Sequence, residues 1–345
     1  MELCIVPPQL RLRLDRAALV ANWRWLQATA GVAAGAAVKA DGYGLGASAV
    51  TEVLADAGCR DFFVATWDEA ARLGSLPEDC SLSVLHGVGP DDVAAALASI
   101  ARPVLNSVEQ VARWKEVAPD RACDLMVDTG MNRLGLRVEE AGVRNGLMVE
   151  TVMSHLACAD EDNPLNILQL QRFREVVGNV AANRYSLANS AGVCLGRDYS
   201  FDLVRPGLAL YGGIPRAEAK GRIAQVAFPE AQVVQRRTVP IGESIGYGAT
   251  FVAERDTEVA VLNIGYADGY WRGFAGGGLA TFEGARLPLV GRVSMDLITV
   301  DCGAAPHVRE GDWVAIDFDL PTAAAASGMS QYELLTGLGG RFGRC

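Results

Sequence analysis

Apolar and polar positions fall into a repeating order over the first two thirds of the chain. Short runs rich in apolar and β-branched residues alternate with longer, alanine-rich amphipathic stretches across residues 11–221. This alternation is typical of strands and helices that follow one another in βαβ units of a parallel sheet. The runs predicted to be strands are AAVKA at 36–40, DFFVAT at 61–66, LSVLHG at 82–87, RPVLNS at 102–107, CDLMVDT at 123–129, VETVMSHL at 149–156, YSLANS at 185–190 and LVRPG at 203–207.

Eight strand-like runs predict an α/β fold built on a (β/α)8 TIM-type barrel over residues 11–221. An open doubly wound sheet is disfavoured because no nucleotide-binding G-x-G-x-x-G follows the first run. Helical stretches lie between the runs, for example residues 15–31 and 164–180. Active sites of such barrels lie on the loops after the strands, so we expect the functional residues there.

The pattern changes after about residue 221. Closely spaced strand-like segments with glycine turns replace the helical periodicity, which predicts a second, β-rich domain over residues 222–345. We expect residues 1–10 to pair with this domain and residues 321–340 to form one short helix. The strand-like segments are AQVVQRRTVP at 231–240, EVAVLNIG at 258–265, LPLVGRVSMDLITVD at 287–301 and DWVAIDF at 312–318.

Charge and composition narrow the classes of partner. The formal net charge of −10 disfavours binding to nucleic acid or to an anionic membrane, because both require a clustered positive field. The N-terminus has no signal-peptide pattern, and no apolar run is long enough to span a bilayer, so we expect a cytoplasmic protein that acts on a small molecule. The eight cysteines show no C-x-x-C spacing, and we expect neither a metal site nor a disulfide framework.

A lysine stands at the end of the first predicted strand. Lys39 lies in AVKADGYGLG at 37–46, where a strand end meets a glycine-rich loop. A lysine amine has a pKa of about 10.4 in water and becomes a useful nucleophile only when burial or nearby cations lower that pKa. Covalent bonding to a carbonyl cofactor suits such a lysine. Taken alone, however, the A-V-K run is better explained as a surface lysine in a tight turn.

Several motifs in a fixed order extend this signal along the whole chain. Together they resemble the alanine racemase family, whose members depend on pyridoxal phosphate. The motifs are VKADGYGLG at 38–46, DTGMNRLG at 128–135, SHLACAD at 154–160, ANSA at 188–191, VRPGLALYG at 204–212, SIGYGATF at 244–251, IGYADGY at 264–270 and GRVSMD at 291–296.

The resemblance implies a racemase that interconverts L-alanine and D-alanine by a two-base mechanism, in a homodimer with shared active sites. Lys39 and Tyr247 are then the catalytic bases, since racemisation needs an acid or base on each face of the reacting carbon. The implied cofactor-binding residues are Lys39, Tyr43, His155, Asn189, Ser190, Arg205, Gly207, Leu208 and Tyr211. The implied substrate-binding and entrance residues are Arg133, Tyr266, Arg272, Met295 and Asp296.

Three of these assignments have a chemical rationale. By the resemblance, Arg205 faces the pyridine nitrogen, and an arginine keeps its own proton, so that nitrogen stays largely unprotonated and transamination is suppressed. Tyr247 needs nearby positive charge to act as a base, which His155 and Arg205 could supply. The forked guanidinium of Arg133 suits a substrate carboxylate. Arg205, Tyr247 and His155 also have structural explanations when each is considered alone. Arg205 could form an ion pair with Asp202, Tyr247 could be a core aromatic residue, and His155 could be a buried imidazole.

The chain departs from the family pattern at two positions. Met126 occupies the place where many relatives carry a carbamylated lysine that steadies the following arginine, and a thioether cannot form a carbamate. We therefore expect a bound chloride or a neighbouring carboxylate beside Arg133. Gly340 stands where many relatives have a phosphate-binding tyrosine, so we expect a slightly weaker phosphate site.

Other functions remain open from the sequence. A broad-spectrum or serine-preferring racemase fits the same motifs. An amino-acid decarboxylase fits less well, because it normally has a longer chain and an acid near the pyridine nitrogen. A non-catalytic carrier of the cofactor would lack the second base, and the β-rich domain with Tyr247 argues against it.

Overall fold

The computed structural model describes residues 8–144 and 146–344. The chain forms two compact units, one comprising Ala17–Ala224 and the other combining the N-terminal segment up to Arg16 with the chain from Gln225 onward. Residues 1–7, which the sequence analysis expects to pair with the β-rich domain, lie outside the described residues. Leu10 pairs with Ala231 in that second unit.

The first half of the chain alternates strands and helices. The helix Trp67–Leu73 has a complete capping box formed by Thr66 and Glu69, and the helix Pro164–Asn179 starts at a proline after the Asn163 cap. In chain order the elements are β1 (Leu10–Leu14), α1 (Arg16–Ala30), β2 (Ala33–Ala34), β3 (Ala36–Ala37), α2 (Lys39–Tyr43, a single turn), α3 (Ala47–Ala57), β4 (Asp61–Val64), α4 (Trp67–Leu73), β5 (Ser81–Val84), α5 (Val93–Ala98), β6 (Arg102–Leu105), α6 (Val108–Val117), β7 (Cys123–Met126), β8 (Val149–Met153), α7 (Pro164–Asn179), β9 (Arg184–Ser186), α8 (Ser190–Cys194) and β10 (Leu203–Val204).

The strands of the first unit are parallel to their neighbours. A seven-stranded sheet runs in the order β3-β4-β5-β6-β7-β8-β9, and β10 pairs with β2. Backbone N–H groups of Gly35 and Ala37 donate to the carbonyls of Val204 and Pro206, each at 2.9 Å. The N–H of Asp202 donates to the Tyr185 carbonyl at 3.0 Å. The residues in and around β10 are therefore hydrogen-bonded both to β9, through Tyr185, and to the β2–β3 segment, through Gly35 and Ala37.

Gly35 separates β2 from β3 where another strand approaches closely. A Cβ at this position would lie 2.6 Å from the Asp61 carbonyl oxygen and 2.9 Å from a ring carbon of Phe63. Real side chains do not tolerate contacts this short, so position 35, between β2 and β3, needs glycine.

Side chains of the parallel sheet lie in layers. Near the amino ends of the strands, Arg184 pairs with Asp61 at 2.7 Å, and Arg102 contacts the fully buried Asp124 at 3.4 Å. Above them an apolar layer contains Met126, the position where the family pattern has a carbamylated lysine. The layer consists of Phe63, Val104, Met126, Met153 and Leu203, with Leu85 packed against it. The carboxyl ends of the strands, beyond this apolar layer, therefore remain available to polar functional side chains.

The second unit is mostly antiparallel sheet. Its elements are β11 (Ala227–Val239), β12 (Ser244–Ile245), β13 (Phe251–Val252), β14 (Thr257–Leu262), β15 (Leu279–Phe282), β16 (Ala285–Val290), β17 (Ile298–Asp301), β18 (Trp313–Ile316), α9 (Leu320–Ser327), α10 (Gln331–Thr336) and β19 (Gly343–Arg344). The main sheet runs β14-β17-β16-β15-β18-β11-β1-β19, and β14 also pairs with β11. The long strand β11 alternates buried and partly exposed positions, as expected when one sheet face is buried.

Two local expectations need correction here. The segment 321–340 forms two helices rather than one, because Gly328 ends α9 in the left-handed region and Ser330 starts α10 with a capping box to Glu333. The run 287–301 is two strands separated by a loop, β16 and β17. Over the described residues, no helix is both long and apolar enough to cross a membrane.

Candidate active site

Lys39 begins an unusual turn two residues after β3. The next four residues, Ala40, Asp41, Gly42 and Tyr43, have φ of 52°, 53°, 63° and 54°, which places all of them in the left-handed region. Left-handed backbone costs roughly 1–2 kcal/mol for each residue other than glycine. Strained segments of this kind persist where the surroundings hold them, and they concentrate at functional sites.

The environment of Lys39 favours the neutral amine. The side chain is half-buried, and desolvation together with the positive charge of Arg133 lowers its pKa, while Glu69 acts in the opposite direction. A lowered pKa increases the fraction of amine that can attack a carbonyl near neutral pH. This supports the nucleophilic interpretation of Lys39 over that of a solvated surface lysine.

Three segments meet in a small polar cradle at the carboxyl ends of the strands. The buried Ser190 hydroxyl accepts hydrogen bonds from the N–H groups of Gly207, at 3.0 Å, and Ala209, at 3.1 Å. The Tyr43 hydroxyl lies against Gly207, since a Cβ there would be only 2.3 Å from it. Leu208 is buried between the two donors. Hydroxyl and backbone N–H groups in one place fit a phosphate group.

The neighbouring aromatic residues hold this cradle in place. The Tyr43 and Tyr211 rings stack with their centroids 4.7 Å apart, and the Tyr211 hydroxyl donates to the Ala37 carbonyl at 2.8 Å. Asn189 caps α8 by accepting a hydrogen bond from the Gly192 N–H at 2.8 Å. Tyr211 and Asn189 therefore fix the backbone around Tyr43 and Ser190.

Arg205 follows β10 directly and is buried, with 7% of its surface exposed. Its guanidinium donates to the Ser186 carbonyl at 2.9 Å, and to the Ser186 hydroxyl and the Ser154 carbonyl at 2.5 Å. The Asp202 carboxylate instead accepts the Tyr185 N–H at 2.8 Å. Burial lowers the pKa of Arg205 to about 10, so the group stays charged at neutral pH. Arg205 is therefore a fixed, buried cation, two residues before Gly207 of the cradle.

His155 follows β8 by two residues. Desolvation and the positive charges of Arg205, Arg133 and Lys39 lower its pKa to about 3. The imidazole is therefore neutral near pH 7. This neutral state contradicts the expectation that His155 supplies positive charge near Tyr247.

Arg133 is exposed on a loop built around Asp128. The Asp128 carboxylate accepts the N–H groups of Gly130, Met131 and Asn132 at 2.8–3.1 Å. The loop borders a cavity of about 690 Å³ that Arg137 and Arg172 also line. Within the described residues no carboxylate forms an ion pair with Arg133, so nothing supports the expected carboxylate partner; a bound chloride stays a prediction.

The second unit holds the remaining predicted residues. Tyr247 lies in a turn between β12 and β13 with 72% of its surface exposed, and the Arg292 guanidinium lies against the adjacent Gly248. Tyr266 and Ala267 donate their N–H groups to the carbonyls of Ser294 and Met295, both at 3.0 Å. The loops carrying Tyr266, Met295 and Asp296 are thereby joined.

Arg341 fastens these loops together. It donates to both carboxylate oxygens of the buried Asp268, at 2.6 and 2.8 Å, and to Asp296 at 2.7 Å. The Arg272 guanidinium lies 4.9 Å from the Tyr266 ring centroid. The sequence did not indicate Arg341 or Glu69, because neither belongs to the motif that it contacts. The signal for Arg341 was Asp268, an acidic residue within IGYADGY that had no assigned partner.

Comparisons with known proteins agree with the two-unit architecture. The family model "Alanine racemase, N-terminal domain" matches residues 14–215, and "Alanine racemase, C-terminal domain" matches residues 226–345. An alanine racemase of Rhizobium meliloti is 42% identical, with 97% of this chain and 96% of the relative covered. A catabolic alanine racemase of Agrobacterium fabrum is 41% identical, with 96% and 91% covered.

A solved structure gives the same result for the fold. Alanine racemase from Bartonella henselae, with covalently bound pyridoxal phosphate, superimposes with a TM-score of 0.89 at 35% identity, covering 98% of this chain and 99% of that one. The fold and the residues at its strand ends define a two-domain α/β protein with a half-buried lysine and a polar cradle at the carboxyl ends of its parallel strands. The chain belongs to the alanine racemase family.

Proposed function

We propose that this chain is an alanine racemase, a pyridoxal-phosphate-dependent isomerase that interconverts L-alanine and D-alanine. The observation that carries the proposal is the convergence of Lys39, the Ser190–Gly207 cradle and the buried Arg205 at the carboxyl ends of the parallel strands. Family membership along nearly the whole chain supports it. We further propose that β2/β3 to β10 close into a (β/α)8 barrel, supported by the backbone bonds of Gly35 and Ala37.

The cofactor would be held by residues of the first unit. Lys39 would bond to its aldehyde, while the Ser190 and Tyr43 hydroxyls and the N–H groups at Gly207 and Leu208 would bind its phosphate, the Gly207 N–H giving up its bond to Ser190. Bound to an amino acid, pyridoxal phosphate withdraws electrons from the α-carbon and so acidifies the α-proton. Arg205 would face the pyridine nitrogen, with His155, Asn189 and Tyr211 supporting the surrounding groups.

Proton transfer needs one group on each face of the α-carbon. The Lys39 amine would take or return the proton on one face, and the Tyr247 hydroxyl would do so on the other. The neutral state of His155 leaves Arg205 as the cation that would favour ionised Tyr247. Arg133 would bind the substrate carboxylate, and Tyr266, Met295 and Asp296 would shape the entrance.

We also propose a head-to-tail homodimer in which Tyr247 of one chain serves the Lys39 site of the other. Tyr247 and several apolar side chains of the same unit are exposed, as apolar residues of protein–protein contacts are before assembly. The exposed fractions are 65% for Ile241, 72% for Tyr247, 53% for Val252, 53% for Met295 and 38% for Leu297. Burial of this surface against a second copy would account for them.

A broad-spectrum racemase, acting on serine as well as alanine, is the second candidate. The same motifs fit both substrates, and the joined loops that carry Tyr266, Met295 and Asp296 would set the size of side chain that enters.

The experiment that tests the function follows optical rotation after pyridoxal phosphate and L-alanine are added to the purified chain. We expect decay to the racemic mixture, a visible absorbance band, and borohydride labelling that maps to Lys39. Lys39→Ala serves as the control and should show neither rotation change nor label. L-serine run in parallel separates the two candidates. A colourless wild-type chain, or a label on another lysine, would contradict the proposal.

A further inference from the structure

One carboxylate on α4 connects two parts of the first unit. Oε2 of Glu69 accepts the N–H of Thr66, at 3.4 Å, which completes the capping box of α4, and also the N–H of the preceding Ala65, at 2.6 Å. Its other oxygen, Oε1, accepts the N–H of Ala40 at 2.7 Å. Only the bond to Thr66 belongs to the capping box. The bond to Ala40 reaches the turn that follows Lys39.

That bond acts on the peptide unit of Lys39 itself. The Ala40 nitrogen is joined to the Lys39 carbonyl carbon, and a peptide unit is rigid and planar. Fixing the Ala40 N–H therefore fixes the peptide that sets the backbone geometry of Lys39. The turn beyond it is left-handed at four residues, three of which are not glycine, and such backbone needs outside support.

We propose that Glu69 is a positioning residue for Lys39: its carboxylate holds the Lys39–Ala40 peptide against the start of α4 and so fixes the direction in which the Lys39 side chain leaves the backbone. The inference rests on the proposed role of Lys39 as the cofactor lysine. It adds a residue outside the cofactor motif, 30 positions further along the chain.

The charge of Glu69 gives the inference a second, separable consequence. The charged groups that act on Lys39 are Arg133, which lowers its pKa, and Glu69, which raises it; His155 is neutral near pH 7. Neutralising Glu69 should therefore lower the pKa of Lys39. Loss of a helix cap alone would leave that pKa where it is.

The test measures how fast added pyridoxal phosphate bonds to Lys39 in the full chain after its cofactor has been removed with hydroxylamine. Visible absorbance is followed from about pH 6 to pH 10, and borohydride trapping maps the label. The variants are Glu69→Gln, which removes the charge and one acceptor, and Glu69→Asp, which keeps the charge but shortens the reach. The matched control is Thr66→Ala, which removes the α4 cap and leaves the Ala40 bond in place. Circular dichroism checks that each variant is folded.

For Glu69→Gln we expect the rate at high pH, where it reaches a plateau because the Lys39 amine is neutral, to be about tenfold lower, since the reacting amine is misplaced. The midpoint, the pH at which the rate is half of its plateau, should move to lower pH. Glu69→Asp should lose rate and keep the wild-type midpoint. Thr66→Ala should lose stability through its weakened helix cap and keep both the rate and the midpoint. If Glu69→Gln and Thr66→Ala behave alike, Glu69 is only a helix cap and the inference is wrong. A wild-type chain that is never labelled at Lys39 would instead overturn the proposed function.

Discussion

At the scale of single residues, the two proposed bases lie in opposite environments. Lys39 is half-buried beside Arg133, whereas Tyr247 is largely exposed on a short turn. The environment of Lys39 alone prepares it to react as a free amine. The proposed role of Tyr247 as a base requires positive charge from another surface, which links that role to the proposed homodimer.

The Tyr247→Phe variant tests the division of labour between the two bases. It should stop racemisation but leave one half-reaction, because the face served by Lys39 keeps its base. By the family resemblance, the surviving reaction is exchange of the α-proton of D-alanine in heavy water, which proton NMR measures. Wild-type exchange of both enantiomers in the variant would show that Tyr247 is not a base.

His155 should make the folded chain sensitive to acid. Its pKa is about 3 when folded and 6.5 when unfolded, so the unfolded chain takes up a proton first as the pH falls. The free energy of unfolding should therefore decrease from about pH 6.5 towards pH 3. His155→Gln should flatten this decrease in urea titrations at several pH values, whereas the exposed control His307→Gln should not. Equal curves for His155→Gln and wild type would contradict the lowered pKa.

At the scale of elements, strand ends could be predicted and the connections between segments could not. The eight apolar runs coincide with parallel strands, because burial on both faces leaves a clear apolar signal. The left-handed turn after Lys39 has no such signal, since Ala40 and Asp41 rarely adopt it. The sequence predicts one helix over 321–340 where the structure has two, α9 and α10, because the alanine run before Gly328 hides the break.

The contact of Arg341 with two separate loops was equally invisible to the sequence, because its partners lie 73 and 45 residues away. Arg341→Ala leaves the buried Asp268 carboxylate without this donor, and we expect a loss of about 1–3 kcal/mol in unfolding free energy. The Tyr266 and Asp296 loops should loosen, raising KM for alanine more than kcat changes. Arg255→Ala, which breaks the exposed pair with Asp301, is the control and should cost less than about 1 kcal/mol. Equal losses in the two variants would show that Arg341 is an ordinary surface residue.

At the scale of the whole molecule, the predicted residues divide between two units. Every proposed cofactor-binding residue lies in Ala17–Ala224, while Tyr247, Tyr266, Met295 and Asp296 lie in the β-rich unit. The proposed complete site therefore requires residues from both units. The proposed homodimer supplies them from different chains, and two-fold symmetry then gives two equivalent sites.

Mixing two inactive variants distinguishes shared sites from sites within one chain. Lys39→Ala and Tyr247→Phe chains are dissociated, combined in equal amounts and reassociated, so that about half the dimers contain one chain of each kind. In a shared-site dimer, each mixed dimer holds one site with both lesions and one site with none. About a quarter of wild-type activity should then return, measured as racemisation of L-alanine. Mass spectrometry of differently labelled chains verifies that exchange has occurred. If each site were built within one chain, every site would keep a lesion, and verified exchange without recovered activity would exclude the shared-site dimer.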